Sequence, residues 1–131
     1  MVLMVLLLPA LALGETMDDL VERDGLFYKK FTDVPFTGNI TGKIRGTIRN
    51  GKKNGPWVYN WNRGQFRKKG TYKDDKKEGL WDEYSGNGQL FFKGFFKGTY
   101  RDGKKEGLWV YNWNNGQLWK KETYKDGKLL E

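Results

Sequence analysis

The sequence predicts an all-β protein, an elongated single-layer antiparallel meander of repeated β-hairpins. Three observations predict it. Gly makes up 18 of 131 residues, about twice the usual share of ~7%. Phe, Tyr and Trp together make up 16% of the chain, which suits pleated strands better than helices. Turn signals recur every ten or twelve residues after Gly46, the spacing of short strands joined by tight turns. Beyond the first residues nothing has the i, i+3, i+4 spacing of an amphipathic helix.

Composition also removes chemistries. The chain has no His and no Cys, so a disulfide framework, a thiolate zinc site, a Cys nucleophile and a Ser-His-Asp triad are excluded. With 24 Lys+Arg against 16 Asp+Glu the formal charge is +8, which favours acidic partners.

Residues 1–14, MVLMVLLLPALALG, are uncharged and almost wholly apolar. They are too short to span a bilayer comfortably, which takes ~20 apolar residues. They fit the apolar core of a signal peptide, with Ala12 and Gly14 at the small positions of a cut after Gly14. No Lys or Arg opens the run, and a retained anchor helix is the alternative. The expectation is an exported protein, periplasmic or extracellular, with a mature chain from Glu15.

Residues 15–45 form a lead-in that begins acidic. Glu15, Asp18, Asp19, Glu22 and Asp24 face only Arg23, a net of −4, whereas residues 25–131 carry +12. Such an arm either folds back onto a basic face or stays solvated. Asp24-Gly25 between Val21-Glu22-Arg23 and Leu26-Phe27-Tyr28 is a two-residue hairpin signal, because both turn positions need φ > 0.

Residues 46–131 repeat with a period of 24. Units begin at Gly46, Gly70 and Gly98, and a partial fourth begins at Glu122. Phe91-Phe92-Lys93-Gly94 is followed at once by Phe95-Phe96-Lys97-Gly98, a tandem duplication. Each unit reads as two strands, a loop of the DGKKEG type and an NG turn. Gly51, Gly55, Gly79, Gly103 and Gly107 supply the positive φ the loops demand. Asn87-Gly88 and Asn115-Gly116 have the chemistry of two-residue hairpin turns. Residues 26–128 should form one continuous meander.

These residues resemble MORN repeats in their longer bacterial variant. Glu-Gly-Leu-Trp at 78–81 and 106–109, and Asn-Gly-Gln-Leu at 87–90 and 115–118, carry the resemblance. It covers about 46–131, and the stretch from Asp24-Gly25-Leu26 to Pro35-Phe36-Thr37-Gly38 is similar to the segment before such repeats in exported bacterial members. Many of those are labelled YwqK-type antitoxins of toxin–antitoxin pairs. The resemblance implies an elongated sheet of consecutive hairpins, with roles in scaffolding, protein binding, self-association or acidic-phospholipid contact and no catalytic role. The chain departs from the pattern at Arg63-Gly64, at Asp74-Asp75, where a non-Gly residue must take a turn position, and at the duplication.

Period-two alternation sorts the strands into faces. Phe66, Lys68, Gly70 and Tyr72 share one face, as do Leu118, Lys120, Glu122 and Tyr124. Leu90, Phe92, Gly94, Phe96, Gly98 and Tyr100 follow the same rule. Trp57, Tyr59 and Trp61, Trp81, and Trp109, Tyr111 and Trp113 should join them in an apolar layer, interrupted by Glu83. The opposite face carries ten basic residues and no acid on four alternate strands. The binding candidates there are Arg67, Lys69, Lys73, Lys93, Phe95, Lys97, Arg101, Trp119 and Lys121. Four is an even insertion, so the duplication keeps the alternation and places Phe95 among the most exposed apolar residues. Two readings of this face stand: a solvated face that Lys keeps soluble, and a surface for an acidic partner.

Catalysis is not expected. Asp74, Glu78, Asp102, Glu106 and Asp126 recur with the period beside turn glycines, which is turn chemistry rather than one active site. No phosphate-cradling or calcium loop appears, and no cofactor or metal is expected. The expected function is a non-catalytic binding or scaffold module at the bacterial cell envelope, contacting a protein or an anionic membrane surface. The alternative is an antitoxin or immunity protein that neutralises a partner toxin. Nucleic acid is disfavoured by export, a choline cage by the lysines beside the rings, and self-association at a strand edge is open.

Overall fold

The computed structural model describes residues 14–60, 66–85 and 94–130. A single turn of 3-10 helix, Met17–Asp19, leads into the strands β1 (Leu20–Arg23) and β2 (Leu26–Lys29). Nine further strands follow: β3 (Gly38–Ile40), β4 (Ile44–Arg49), β5 (Lys52–Asn60), β6 (Phe66–Lys73), β7 (Lys76–Ser85), β8 (Gly94–Arg101), β9 (Lys104–Trp113), β10 (Leu118–Lys125) and β11 (Lys128–Leu129). They form one nine-stranded antiparallel sheet in which every strand lies beside its neighbours in sequence. The sheet is not closed into a barrel. The predicted fold class is therefore the one observed.

The meander begins at Gly38 rather than residue 26, because β1 and β2 pair only with each other. The lead-in folds back as a cap. Leu20 is buried with Ile40, Ile48 and Trp57, and Met17, Phe27 and Phe36 pack around them. Backbone bonds from Phe27 N–H to Gly51 O and from Gly51 N–H to Phe36 O fasten it, each at 2.8 Å. Repeat arrays need such caps where a unit lacks a neighbour to cover it.

Five hairpins turn on two residues with positive φ at both: Asp24-Gly25, Asn50-Gly51, Asp74-Asp75, Asp102-Gly103 and Asp126-Gly127. This is the geometry that matches strand twist. The loops are shorter than the DGKKEG reading supposed, since both lysines and the Glu already belong to the next strand. Gly55, Gly79 and Gly107 do have positive φ, at 77°, 74° and 73°. They lie inside strands, at register skips such as that between Lys69↔Asp82 and Thr71↔Glu78. These are bulges, not loop closures. The Asn115-Gly116 turn is also corrected. Trp113 N–H reaches Gln117 O at 2.8 Å, Gly116 alone has positive φ, and Asn115 Oδ1 accepts the Gln117 N–H at 2.9 Å. That is a three-residue loop ending in a left-handed Gly. Asn87-Gly88, Arg63-Gly64 and Phe91-Phe92-Lys93 of the FFKG duplication lie outside the described residues, as does the apolar segment 1–13.

The core lies on one face of the sheet. Trp57, Trp81 and Trp109 are 0%, 2% and 1% exposed although the one other sheet among the described residues is the small β1–β2 hairpin packed at the Trp57 end. Each indole lies flat on a glycine of the preceding strand: Trp57 on Gly46, Trp81 on Gly70 and Trp109 on Gly98. Trp57 Nε1 and Trp81 Nε1 donate to the carbonyls of Thr47 and Thr71 at 3.2 and 3.1 Å. Trp109 Nε1 is buried without such a partner. Tyr72 and Tyr100 stand edge-on between the indoles, with ring centroids 5.0 Å apart for Tyr72–Trp81 and for Tyr100–Trp109, and Tyr124 stands edge-on to Trp109 on its outer side. Trp and Tyr thus alternate across β5 to β10.

Candidate functional site: the cationic hairpin ends

The aromatic face is roofed by lysine. Lys53 Nζ lies 5.0 Å from the ring centroids of both Trp57 and Tyr72. Lys77 sits over Trp81 and Tyr100 at 4.7 and 4.9 Å, and Lys105 over Trp109 and Tyr124 at 4.5 and 4.8 Å. Negative ring faces attract the ammonium heads, and the aliphatic stems cover the indoles. Burial pushes Lys68, Lys77 and Lys105 below their ordinary pKa. Burial likewise pushes Tyr72 and Tyr111 well above theirs, with further support from hydrogen bonds to Tyr59 and Glu122 respectively. Lys68 was placed with the aromatic layer from the sequence, whereas Lys53, Lys77 and Lys105 were not. Strict alternation from Tyr59 through Trp57 to Lys53 places them there once the turn is known to take only two residues.

Two binding candidates change face. Between Leu118↔Asn112 and Lys120↔Tyr111 the register shifts by one residue on β10. Trp119 accordingly packs on Trp113 at 5.0 Å and edge-on to Tyr111 at 6.0 Å. It belongs to the aromatic layer, while Leu118 is 52% exposed. The same shift lies between Asn60↔Phe66 and Tyr59↔Lys68, and Arg67 reaches the Tyr59 ring at 5.6 Å. A bulge at each of these positions reverses what plain alternation predicts. Phe95 is also corrected. It stays on the far face, opposite Tyr84 and Asn112, but it is half-buried. Its ring stacks on Tyr84 at 5.4 Å. Lys93 lies outside the described residues.

The far face is less uniformly basic than alternate strands suggested, because the intervening strands bring acids. One row runs Val58, Lys69, Asp82, Lys97, Val110, Lys121. Lys69 and Lys97 thus flank Asp82 directly. Further basic residues close the two-residue hairpins, where the turn acids Asp74, Asp75, Asp102 and Asp126 offset part of their charge. Four successive hairpins are closed by a pair of like charges: Arg49↔Lys52, Lys73↔Lys76, Arg101↔Lys104 and Lys125↔Lys128. All eight side chains are exposed. Among the described residues Arg101 forms ion pairs, with Asp126 at 3.3 Å and Glu106 at 3.7 Å, and the other seven form none.

The acids of the repeat are occupied in joining one hairpin end to the next. Glu78 Oε2 accepts the backbone N–H of Asp102 at 2.9 Å, and Glu106 Oε2 that of Asp126 at 2.8 Å. Asn54 Oδ1 accepts the N–H of Asp74 at 3.1 Å in the first unit. Turn N–H groups of Asp75, Gly103 and Gly127 donate to the carbonyls of Lys53, Lys77 and Lys105, each at 2.9 Å. The hairpin ends are therefore bonded into one line. Lys73 and Arg101 were identified from the sequence. Lys52, Lys76, Lys104 and Lys128 were missed, although a two-residue turn sets its flanking residues opposite each other.

A cleft of about 410 Å³ lies elsewhere, between the N-terminal turn and the β3–β4 connection, lined by Thr16, Met17, Asp18 and residues 41–44. It carries none of the closing pairs. Neither a family model nor a curated protein matches this chain.

Proposed function

We propose that the chain is a non-catalytic binding module that presents its line of cationic hairpin ends to an acidic partner, a protein or an anionic membrane surface. The observation that carries this reading is the like-charge closure of four consecutive hairpins. Like charges directly opposite on neighbouring strands are destabilising, and the fold does not require them. The Asp24-Gly25 hairpin, outside the line, is closed by Arg23↔Leu26 instead. The resemblance to MORN repeats agrees with a binding or scaffold role. An envelope setting rests on the apolar run of residues 1–14.

The test is retention of the full chain on polyglutamate resin and on anionic vesicles, beside zwitterionic vesicles, across a salt gradient. The wild type should be held by one or both acidic surfaces at low salt and released at high salt. The double variant Lys76→Glu/Lys104→Glu should be released earlier. Coincident elution of the two proteins would refute the reading.

A further inference from the structure

The repeat has a seat for each tryptophan, and one seat is filled differently. Positions 46, 70 and 98 are glycine, and a Cβ at any of them would fall inside the indole of Trp57, Trp81 or Trp109. One period on, position 122 is glutamate. Glu122 faces the aromatic layer, opposite Trp109 across β9 and β10, and its side chain is only 17% exposed. Its carboxylate accepts the Tyr124 hydroxyl at 3.1 Å and lies 3.7 Å from Lys120 Nζ. The carboxylate stands where the ring of a further Gly-x-Trp strand would lie.

Among the described residues the backbone beside it lacks a strand partner. On its outer side β10 pairs with β11 only at Tyr124 and Lys125, with one more bond from Leu130 N–H to Thr123 O at 2.7 Å. From Leu118 to Glu122 the outer edge has no strand partner among the described residues. Leu129 and Leu130, 53% and 57% exposed, lie at this edge beside Tyr124 and Thr123. An open edge beside apolar side chains invites strand addition. The strand that fits best is one of this chain's own, because β4, β6 and β8 all accept a Gly-x-Trp strand on the corresponding side. The opposite edge is protected too. Glu15 bridges to Ile40 of β3, and the Thr41 N–H donates to Glu15 O at 2.8 Å.

We infer that Glu122 guards the β10 edge against a second copy of this chain: it occupies the seat that an incoming Gly-x-Trp strand needs, so the aromatic array is not extended. An inward-facing charge is one of the recognised protections of a sheet edge. The guard works by shape and by charge together. A Trp laid on Glu122 would have to displace the carboxylate from Tyr124 and Lys120, and only glycine leaves room for the ring.

The experiment compares the full-length wild type with Glu122→Gly and Glu122→Gln, using a fluorescein-labelled peptide with the sequence of residues 104–113. Sedimentation of each protein over a range of concentrations runs beside it. Glu122→Gly should bind the peptide at least about tenfold more tightly than the wild type and should self-associate. Glu122→Gln, which removes the charge and keeps the bulk, should bind no better than about threefold over wild type. Circular dichroism of each variant establishes that the sheet is intact. If a folded Glu122→Gly neither binds peptide nor associates, the seat does not govern the edge. If the wild type binds as tightly as Glu122→Gly, no guard exists, and equal gains in Gln and Gly would reduce the guard to charge alone. Any of these three results overturns the inference.

Discussion

Replacing Gly98 by Ala should be far more costly than a single methyl suggests. The added Cβ would overlap the Trp109 indole. Gly98 cannot withdraw, because β8 is hydrogen-bonded to β7 on one side and β9 on the other. The ring must therefore rise off the sheet. Rising loosens its edge contacts with Tyr100 and Tyr124, now at centroid distances of 5.0 and 6.4 Å. Each aromatic pair contributes about 0.5–1.5 kcal/mol beyond area burial, and forcing a group into a filled site costs about 1–3 kcal/mol. Ala is the better strand residue by about 0.5–1 kcal/mol, which offsets part of the loss. The net expectation is a destabilisation of about 2–4 kcal/mol.

Gly107→Ala is the matched control. Gly107 has φ 73° and open space where a Cβ would go, so only the left-handed backbone penalty of about 1–2 kcal/mol applies. A β-branched Gly107→Val should lose at least ~1 kcal/mol for the same reason. Urea titrations of the full chain, followed by Trp fluorescence and by far-ultraviolet circular dichroism, measure all three. If Gly98→Ala loses no more stability than Gly107→Ala, the indole is not seated on the glycine backbone and the account of the core fails.

Three further outcomes follow from the same geometry. Lys76→Glu turns the Lys73↔Lys76 pair into an opposite-charge pair, so its melting temperature should rise, by the equivalent of about 0.2–1 kcal/mol, while its hold on polyglutamate weakens; a fall in both would point to misfolding. Phe95→Ala should cost about 1–2 kcal/mol in urea, less than the ~3–5 kcal/mol of a fully buried Phe, because the ring is half-buried on Tyr84. Alkaline stability should fall as pH rises through the ordinary tyrosine value near 10 and beyond it, because Tyr72 and Tyr111 have raised pKa values in the folded chain and their contribution is complete only below that value. Lys68, Lys77 and Lys105 have lowered values and act with opposite sign, which makes the decline shallower. Urea stability that does not fall as pH rises above about 10 would contradict it.

Strand order, the repeating unit and the aromatic layer were legible because they depend on short-range rules: turn residues with positive φ and alternation of side chains. The non-Gly turn at Asp74-Asp75 was legible for the same reason. Arg67 and Trp119 were misplaced because each is the extra residue of a bulge near the start of its strand, and no local residue announces it; the residues after each bulge keep the sides that alternation predicts. Asp82 was overlooked as a neighbour of Lys69 and Lys97, since cross-strand partners belong to the pairing and not to the order of residues along one strand. The glycine seats were half legible. Gly among aromatics suggested a ring lying on backbone, but which ring lay on which Gly needed the register of β4 with β5 and its equivalents.

A single-layer sheet has to bury its apolar groups without a second layer, and this chain does so within one face. Glycine lowers the floor, tryptophan lies on it, tyrosine fills the gaps edge-on, and lysine stems close the top. That arrangement uses one lysine of each KK pair, Lys53, Lys77 and Lys105, and leaves the other on the far side. Lys52, Lys76 and Lys104 therefore contribute nothing to the core, and each faces a second cation across its turn. Were solubility the only requirement, one cation in each pair would serve, and an acid as its partner would stabilise the hairpin. Each hairpin of the line instead keeps the costlier pair; Glu78 and Glu106 are held by backbone N–H groups of the adjoining turn, and Arg101 is the member of the pairs that also meets acids, Asp126 and Glu106. The cations at the hairpin ends other than Arg101 form no ion pair among the described residues, which is why the proposed binding function is placed on them.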